Sequence, residues 1–155
     1  MNESSDKFSD ERLAPMHTAE HILNQTMVRM FGCPRSKNTH VERKKSKCDY
    51  LLQEPPTAEQ IAEIEERVNR VIAQNLPVTV SFMTKEEARG KIDLSKLPPE
   101  VAEPLRVVHV GDYDACACVG THVENSGEIG RFTISSSSYA NGIWRVRFKV
   151  PYTET

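Results

Sequence analysis

His17-Thr18-Ala19-Glu20-His21 sets two imidazoles four residues apart near the front of the chain, and Cys118-Val119-Gly120-Thr121-His122 sets a thiol and an imidazole at the same interval far downstream. On a helix, an i, i+4 pair projects from one face with about 5–6 Å between Cβ atoms, a spacing that suits two imidazoles on one metal ion. No proline or glycine falls between Met16 and Arg29, and Ile22, Leu23, Met27 and Met30 form an apolar stripe, so the spacing predicts a helix here. The Cys-x-x-x-His segment, with Gly120 inside it, reads as a tight loop or strand end. Together the segments offer a His/His/Cys/His set, His17, His21, Cys118 and His122, whose nitrogen and sulfur donors suit zinc better than calcium or magnesium. The bland alternative is a surface histidine pair of the kind helices often carry. The second pair, in a chain with five histidines, favours the metal.

Length and composition bound the rest. A chain of 155 residues is one domain with a real core. Its formal charge of −2 gives no global basic field, so a nucleic-acid partner must meet a local patch. The four cysteines follow no disulfide framework, and no signal peptide or long apolar run is evident. A cytoplasmic protein with reduced thiols is expected, without a membrane or DNA partner; the oligomeric state is open.

Outward from the histidine pair, residues 1–13 are polar and read as a mobile lead-in, with 14–155 as a single domain. Pro15 suits a helix start, and Gly32 with Pro34 beyond it marks the stop. Residues 36–42 read as a loop leading into a short strand. Arg43-Lys44-Lys45-Ser46-Lys47 is the dense basic run, read either as a solvated turn or as a phosphate contact. Cys48 to Leu52 reads as a strand. Thr57 with Gln60 three residues on is a capping box, and Ile61, Ile64, Val68, Val71 and Ile72 recur at helical spacing behind it. Val78–Phe82 alternates like a strand, Thr84–Ala88 is a short helix ended at Gly90, and 91–104 reads as a loop. Arg106–Val110 is strand-like, with His109 as a half-buried strand residue. Glu124–Glu128 is a turn, Ile129–Ser135 a strand, Ser135–Ser138 a polar loop, and Gly142–Val150 the closing strand. This order predicts an α+β two-layer sandwich, helices on a mainly antiparallel sheet.

His-Thr-Ala-x-His-Ile-Leu at 17–23, Cys-x-Gly-Thr-His-Val at 118–123 and Gly-Glu-Ile-Gly-x-Phe at 127–132 resemble the editing domain of alanyl-tRNA synthetase and its free-standing AlaX-type relatives. The editing domain of threonyl-tRNA synthetase is a more distant cousin. The likeness covers roughly residues 15–148, with Val119 where the family often has glycine, Lys47-Cys48-Asp49-Tyr50 where it tends to an Arg-Phe-Asp-Phe-like strand, and Trp144-Arg145 in place of paired arginines. Without an aminoacylation domain in view, it is closest to the short free-standing form. It implies the common editing-domain fold of the threonyl and alanyl enzymes. The implied activity is hydrolysis of the ester on mischarged tRNA for alanine, serine first and glycine second, with zinc (Zn2+) in the site.

On that resemblance Thr18 is either a pocket residue or an ordinary helix threonine. Glu20 is either a general base acting through water or a solvated residue. Asp49 lies on a strand the family brings toward the site. Cys116 is the alternative to Cys118 as a ligand. For the acceptor end of the RNA, Arg43, Lys44, Lys45, Lys47 and Arg145 are the candidate contacts, and Trp144 or Tyr139 is either a stacking surface or core. Two other readings stand beside this one: an HxxEH metallopeptidase, and a non-catalytic zinc-stabilised RNA-binding module.

Overall fold

The computed structural model describes residues 11–42, 44–92, 94 and 102–151. Arg43 and residues 1–10 of the expected lead-in lie outside this set, as does part of the 91–104 loop. Glu11–Leu13, the described end of that lead-in, is a 3-10 turn, and Leu13 is buried in the core.

Helix α1 (Ala14–Phe31) carries Pro15 in its first turn and ends where Gly32 takes φ 66°, its N–H returning to the carbonyl of Val28 at 2.9 Å. Only glycine adopts that left-handed position without cost. The expected apolar stripe is buried at Ile22, Leu23 and Met27, but so are His17, Thr18, Glu20, His21, Asn24 and Thr26. A helix enclosed on nearly every face must satisfy its polar groups internally, and the candidate site grows from how it does so.

Strands β1 (Asn38–His40) and β2 (Ser46–Leu51) follow, then helix α2 (Ala58–Ala73), whose Thr57 and Gln60 make the expected capping box in both directions at 3.1 and 2.8 Å. Ile64, Val68, Val71 and Ile72 are buried. Its outer face pairs Arg67 with Glu63 and Arg70 with Glu66, each across one turn. Strand β3 (Val78–Met83), the one-turn helix α3 (Lys85–Ala88), β4 (Leu105–Val110), β5 (Asp114–Ala117), β6 (Thr133–Ala140) and β7 (Ile143–Lys149) complete the order.

The class is α+β with antiparallel pairing throughout, and the strands divide between two sheets: four strands in the order β1-β2-β7-β6, and three in the order β3-β4-β5. Alternation along β2 and β7 turns Cys48, Tyr50, Trp144, Val146 and Phe148 inward, all at most 1% exposed. Trp144 is therefore core. His109 is the half-buried strand residue expected, with its Nε2 2.8 Å from the Ser81 hydroxyl.

Two local expectations are overturned. Ile129–Ser135 is not one strand, because Ile129 closes a 3-10 turn (Ser126–Ile129) and β6 begins only at Thr133. Ser135–Ser138 is not a loop but the middle of β6, its serines exposed. The turn lies at Asn141-Gly142, where φ is 53° and 80° and Ala140 faces Ile143. Two residues at positive φ make the tight turn that matches sheet twist. Among the described residues, no helix is long and apolar enough to cross a membrane.

Candidate metal centre

Helix α1 supplies His17 and His21 from one face, and the loop after β5 supplies Cys118 and His122. Their donor atoms all lie within 4.8 Å of one another. The Cys118 Sγ stands 3.6 Å from His17 Nε2. The His17 and His122 rings stack with centroids 4.3 Å apart, and His21 meets both edge-on at 5.0 and 4.4 Å. The expected set is brought together, and Cys116 is excluded from it: its thiol is directed to the carbonyl of Ala117.

What holds each ligand is as informative as the ligand. The Thr18 hydroxyl donates its one proton to the Ala14 carbonyl at 2.9 Å and accepts from the Val123 N–H at 3.2 Å. Its 2.9 Å contact with His122 Nδ1 must then be donated by the ring. This tautomer leaves His122 Nε2 as a bare lone pair, and that buried nitrogen has no hydrogen-bond partner. His17 Nδ1 likewise lies 3.3 Å from the Thr121 carbonyl, leaving Nε2 toward the thiol. Beside His21 Nδ1, at 3.6 Å, is Asp114 Oδ2, a carboxylate that Arg35 grips through both terminal nitrogens at 2.6 and 3.3 Å. A metal-bound imidazole held through its far nitrogen by a carbonyl, hydroxyl or carboxylate is the usual support of such sites.

The loop is clamped from below. Arg106 on β4 donates from Nη1 to the carbonyls of Cys118 and Gly120, both at 2.9 Å, and the Gly120 N–H approaches the Cys118 sulfur at 3.4 Å. Gly120 has no room for a side chain, since an added Cβ would stand 2.5 Å from His17 Nδ1. Val119 beside it is 74% exposed, so the cluster lies under the surface at this loop.

Electrostatics follow the geometry. Burial alone would raise the Cys118 thiol, but the imidazoles of His122, His17 and His21 outweigh it and hold the sulfur well below an ordinary thiol, as a thiolate. Burial pushes His122 down to about 3, against the pull of Cys118 and with the help of the neighbouring histidines. Asp114 resists the upward push of its burial because His21 and Arg35 stabilise its charge, and it sits well below the carboxylate range.

One cysteine sulfur and three imidazole rings meeting at one point, with the buried lone pair of His122 Nε2 among them, fit a tetrahedral ion of zinc's preference. Such an ion, with bonds of about 2.0–2.3 Å, spaces its donors roughly 3.3–3.8 Å apart, a modest closure of the cage as it stands. His17, His21, Cys118 and His122 would hold it.

The other candidates land elsewhere. Thr18 is fully buried and grips His122. Glu20 is also fully buried, its Oε1 3.9 Å from His21 Nε2 and its Oε2 accepting from Asn24 at 2.5 Å. It is neither solvated nor far from the cluster. Asp49 is on the wrong side of its strand. Cys48 and Tyr50 face α1, so alternation puts Asp49 on the outer sheet face, locked to Arg145 at 2.7 and 2.9 Å and to Asn38 at 2.8 Å. That pairing also occupies Arg145. Lys44, Lys45 and Lys47 remain outside, at the surface. Asp114, Arg35 and Arg106 escaped the sequence reading: single polar residues beside or within strands carry no periodic mark.

The model of the threonyl and alanyl tRNA synthetase second additional domain matches residues 105–147, which include the Cys118/His122 half of the cluster. An alanine–tRNA ligase of Coxiella burnetii is 37% identical over 132 residues, 84% of this chain and 15% of that protein. The chain belongs to the alanyl-tRNA synthetase editing-domain family. Its alanine–tRNA ligase relatives in Caldicellulosiruptor saccharolyticus and Treponema denticola are 38% and 30% identical over 140 and 139 residues, 87% and 88% of the chain. The chain spans 16% and 23% of those two proteins, so it corresponds to one part of each ligase.

Proposed function

We propose that this chain is an aminoacyl-tRNA deacylase, acting in trans on mischarged tRNA for alanine and removing serine first and glycine second. The observation that carries the reading is the meeting of two motifs about a hundred residues apart at one cluster of three imidazoles and a thiolate, in a chain of the editing-domain family. The chemical need is plain. An alanine pocket cannot strongly reject the smaller glycine or a near-isostere with one added hydroxyl, so a second, hydrolytic site supplies the selectivity.

In the reaction, water adds to the ester carbonyl, the acyl C–O bond breaks, and the ribose oxygen leaves with a proton. The products are free amino acid and uncharged tRNA. Zinc held by three of His17, His21, Cys118 and His122 would keep a position open as a Lewis acid for an oxygen or amino group of the substrate, whereas zinc held by all four would instead position the groups around it. Of the three candidate catalytic residues, Glu20 borders the cluster, and in this reading its carboxylate takes the proton from the attacking water. Thr18 orients His122. Asp49 has no part in the chemistry. An aminoacyl ester is already activated, so holding water and ester together supplies much of the rate.

The test is deacylation of Ser-, Gly- and Ala-charged tRNA for alanine by the wild type and by Cys118→Ala and Cys116→Ala, with zinc content measured on each. Loss of serine faster than alanine, abolished with zinc in Cys118→Ala and kept in Cys116→Ala, is expected. Spontaneous decay of all three esters with a zinc-loaded wild type would leave the inert RNA-binding module; cleavage of peptides instead would favour the metallopeptidase.

A further inference from the structure

The outer face of the four-stranded sheet carries cations that stand outside any ion pair. Register aligns His40, Lys47, Arg147 and Ser136 in one row across β1, β2, β7 and β6, with Lys149 and Thr133 paired in the next. Two open grooves flank the Lys44-Lys45 turn. One, of about 380 Å³, is lined by His40, Glu42, Lys45, Ser46, Lys47 and Arg147. The other, of about 480 Å³, holds Lys44, Arg131, Thr133 and Lys149. Several other arginines are matched with acids, Arg67 with Glu63, Arg70 with Glu66 and Arg89 with Glu86, and on this face Arg145 is matched with Asp49. Among the described residues, none of Lys44, Lys45, Lys47, Arg131, Arg147 and Lys149 is in an ion pair. Glu42, the acid of this region, is taken by His40 at 3.2 Å. In a chain of net charge −2, such a concentration is a local positive field.

The face has a second character. Among the described residues of this sheet, Tyr50, Trp144, Phe148 and Tyr139 all point inward and offer no phenyl, phenol or indole ring to an unpaired base. Single-stranded nucleic acid is usually gripped by stacking on aromatic rings. Double-helical RNA is recognised by shape, through phosphates and 2′-hydroxyls. Exposed Ser136 and Ser138 stand beside the arginines of β7 as hydroxyl partners for such contacts.

We propose that this face, centred on Lys47, Arg147 and Lys149 with Lys44, Lys45 and Arg131 at its margin, docks the sugar-phosphate backbone of a double-helical RNA stem. It rests on the deacylase reading, since the stem would be that of the charged tRNA. It replaces Arg145 with Arg147 as the working arginine.

The experiment is fluorescence anisotropy of the zinc-loaded full chain with a labelled RNA hairpin of acceptor-stem length, and with an unpaired oligonucleotide of equal length, over a salt series. The variants are Arg147→Gln, Lys149→Gln and their pair, with Arg70→Gln on α2 as control. The hairpin is expected to bind more tightly than the single strand. Each sheet-face variant is expected to weaken it roughly three- to tenfold at 0.1 M salt and to lower the log–log salt slope by about one. Arg70→Gln is expected to change nothing. An unchanged slope in the double variant, or equal binding of the unpaired strand, overturns the proposal. Ester hydrolysis by the wild type alongside an unaffected double variant would remove this surface and leave the deacylase reading intact. Hairpin binding lost in the double variant, with no hydrolysis by the wild type, would do the opposite.

Discussion

Replacing Gly120 by alanine tests the metal centre with a single methyl. The new Cβ would lie 2.5 Å from His17 Nδ1 and 3.3 Å from Nε2, with Cε1 closer still. Carbon in ordinary contact needs about 3.5–4.0 Å, so the ring must retreat by roughly 1.5 Å or the loop must lift off Arg106. Gly120 is not among the glycines at positive φ, so the backbone tolerates alanine and the cost falls on the ring. Losing one outer support of a ligand typically lowers metal affinity 10–100-fold. Displacing a ligand itself should reach at least the upper end, about 100-fold, or roughly 2.7 kcal/mol. Competition for zinc against a chromogenic chelator reads this directly, and the absorption of the cobalt-substituted protein reports whether four-coordination survives. Val119→Ala, at a site 74% exposed, is the matched control and should bind zinc as wild type does. Zinc affinity of Gly120→Ala within threefold of wild type, with far-ultraviolet dichroism unchanged, would refute the argument that His17 is a ligand pressed against this loop.

Two further outcomes follow from the polar supports. Thr18→Val removes the acceptor for His122 Nδ1 and should weaken zinc about 10–100-fold, while Thr18→Ser, which keeps the hydroxyl, should restore most of it in the same competition assay. The metal-free protein should lose stability on acidification in two stages in urea melts. His122 has a folded pKa of about 3 against an ordinary 6.5, so the unfolded chain binds its proton first and stability falls as pH drops below 6.5. Asp114 is depressed from 3.8, so its contribution is whole above that value and is lost as pH falls further; flat stability from pH 7 to 3 would contradict both assignments.

Features that depend on neighbours in the chain were legible from the residues. The Gly32 stop, the Thr57–Gln60 box, the short helix at Thr84–Ala88 and the apolar stripe of α2 all appear as read. Each half of the metal cluster was legible for the same reason, being a local spacing of four. Its supports were not. Asp114 meets His21 and Arg35 only because β5 packs against α1. Asp49 was misread although alternation held the answer: with Cys48 and Tyr50 turned to the core, the residue between them must face outward. The serine run at 135–138 looked like a turn by composition, while the stronger signal, Asn141-Gly142, stood three residues further on. The basic face required register, which joins Lys47 of β2 to Arg147 of β7.

The thiol of Cys118 and the imidazole of His17, 3.6 Å apart in the finished fold, are separated by 101 positions in the chain. At translation speeds of about 5–20 residues per second, that interval lasts roughly 5–20 s. Throughout it the histidine pair has been made while its sulfur partner has not. A zinc ion bound as proposed would therefore join late, as a clasp between the first helix and a loop that follows β5, and zinc supply would govern how many finished chains are closed rather than how fast they begin to fold.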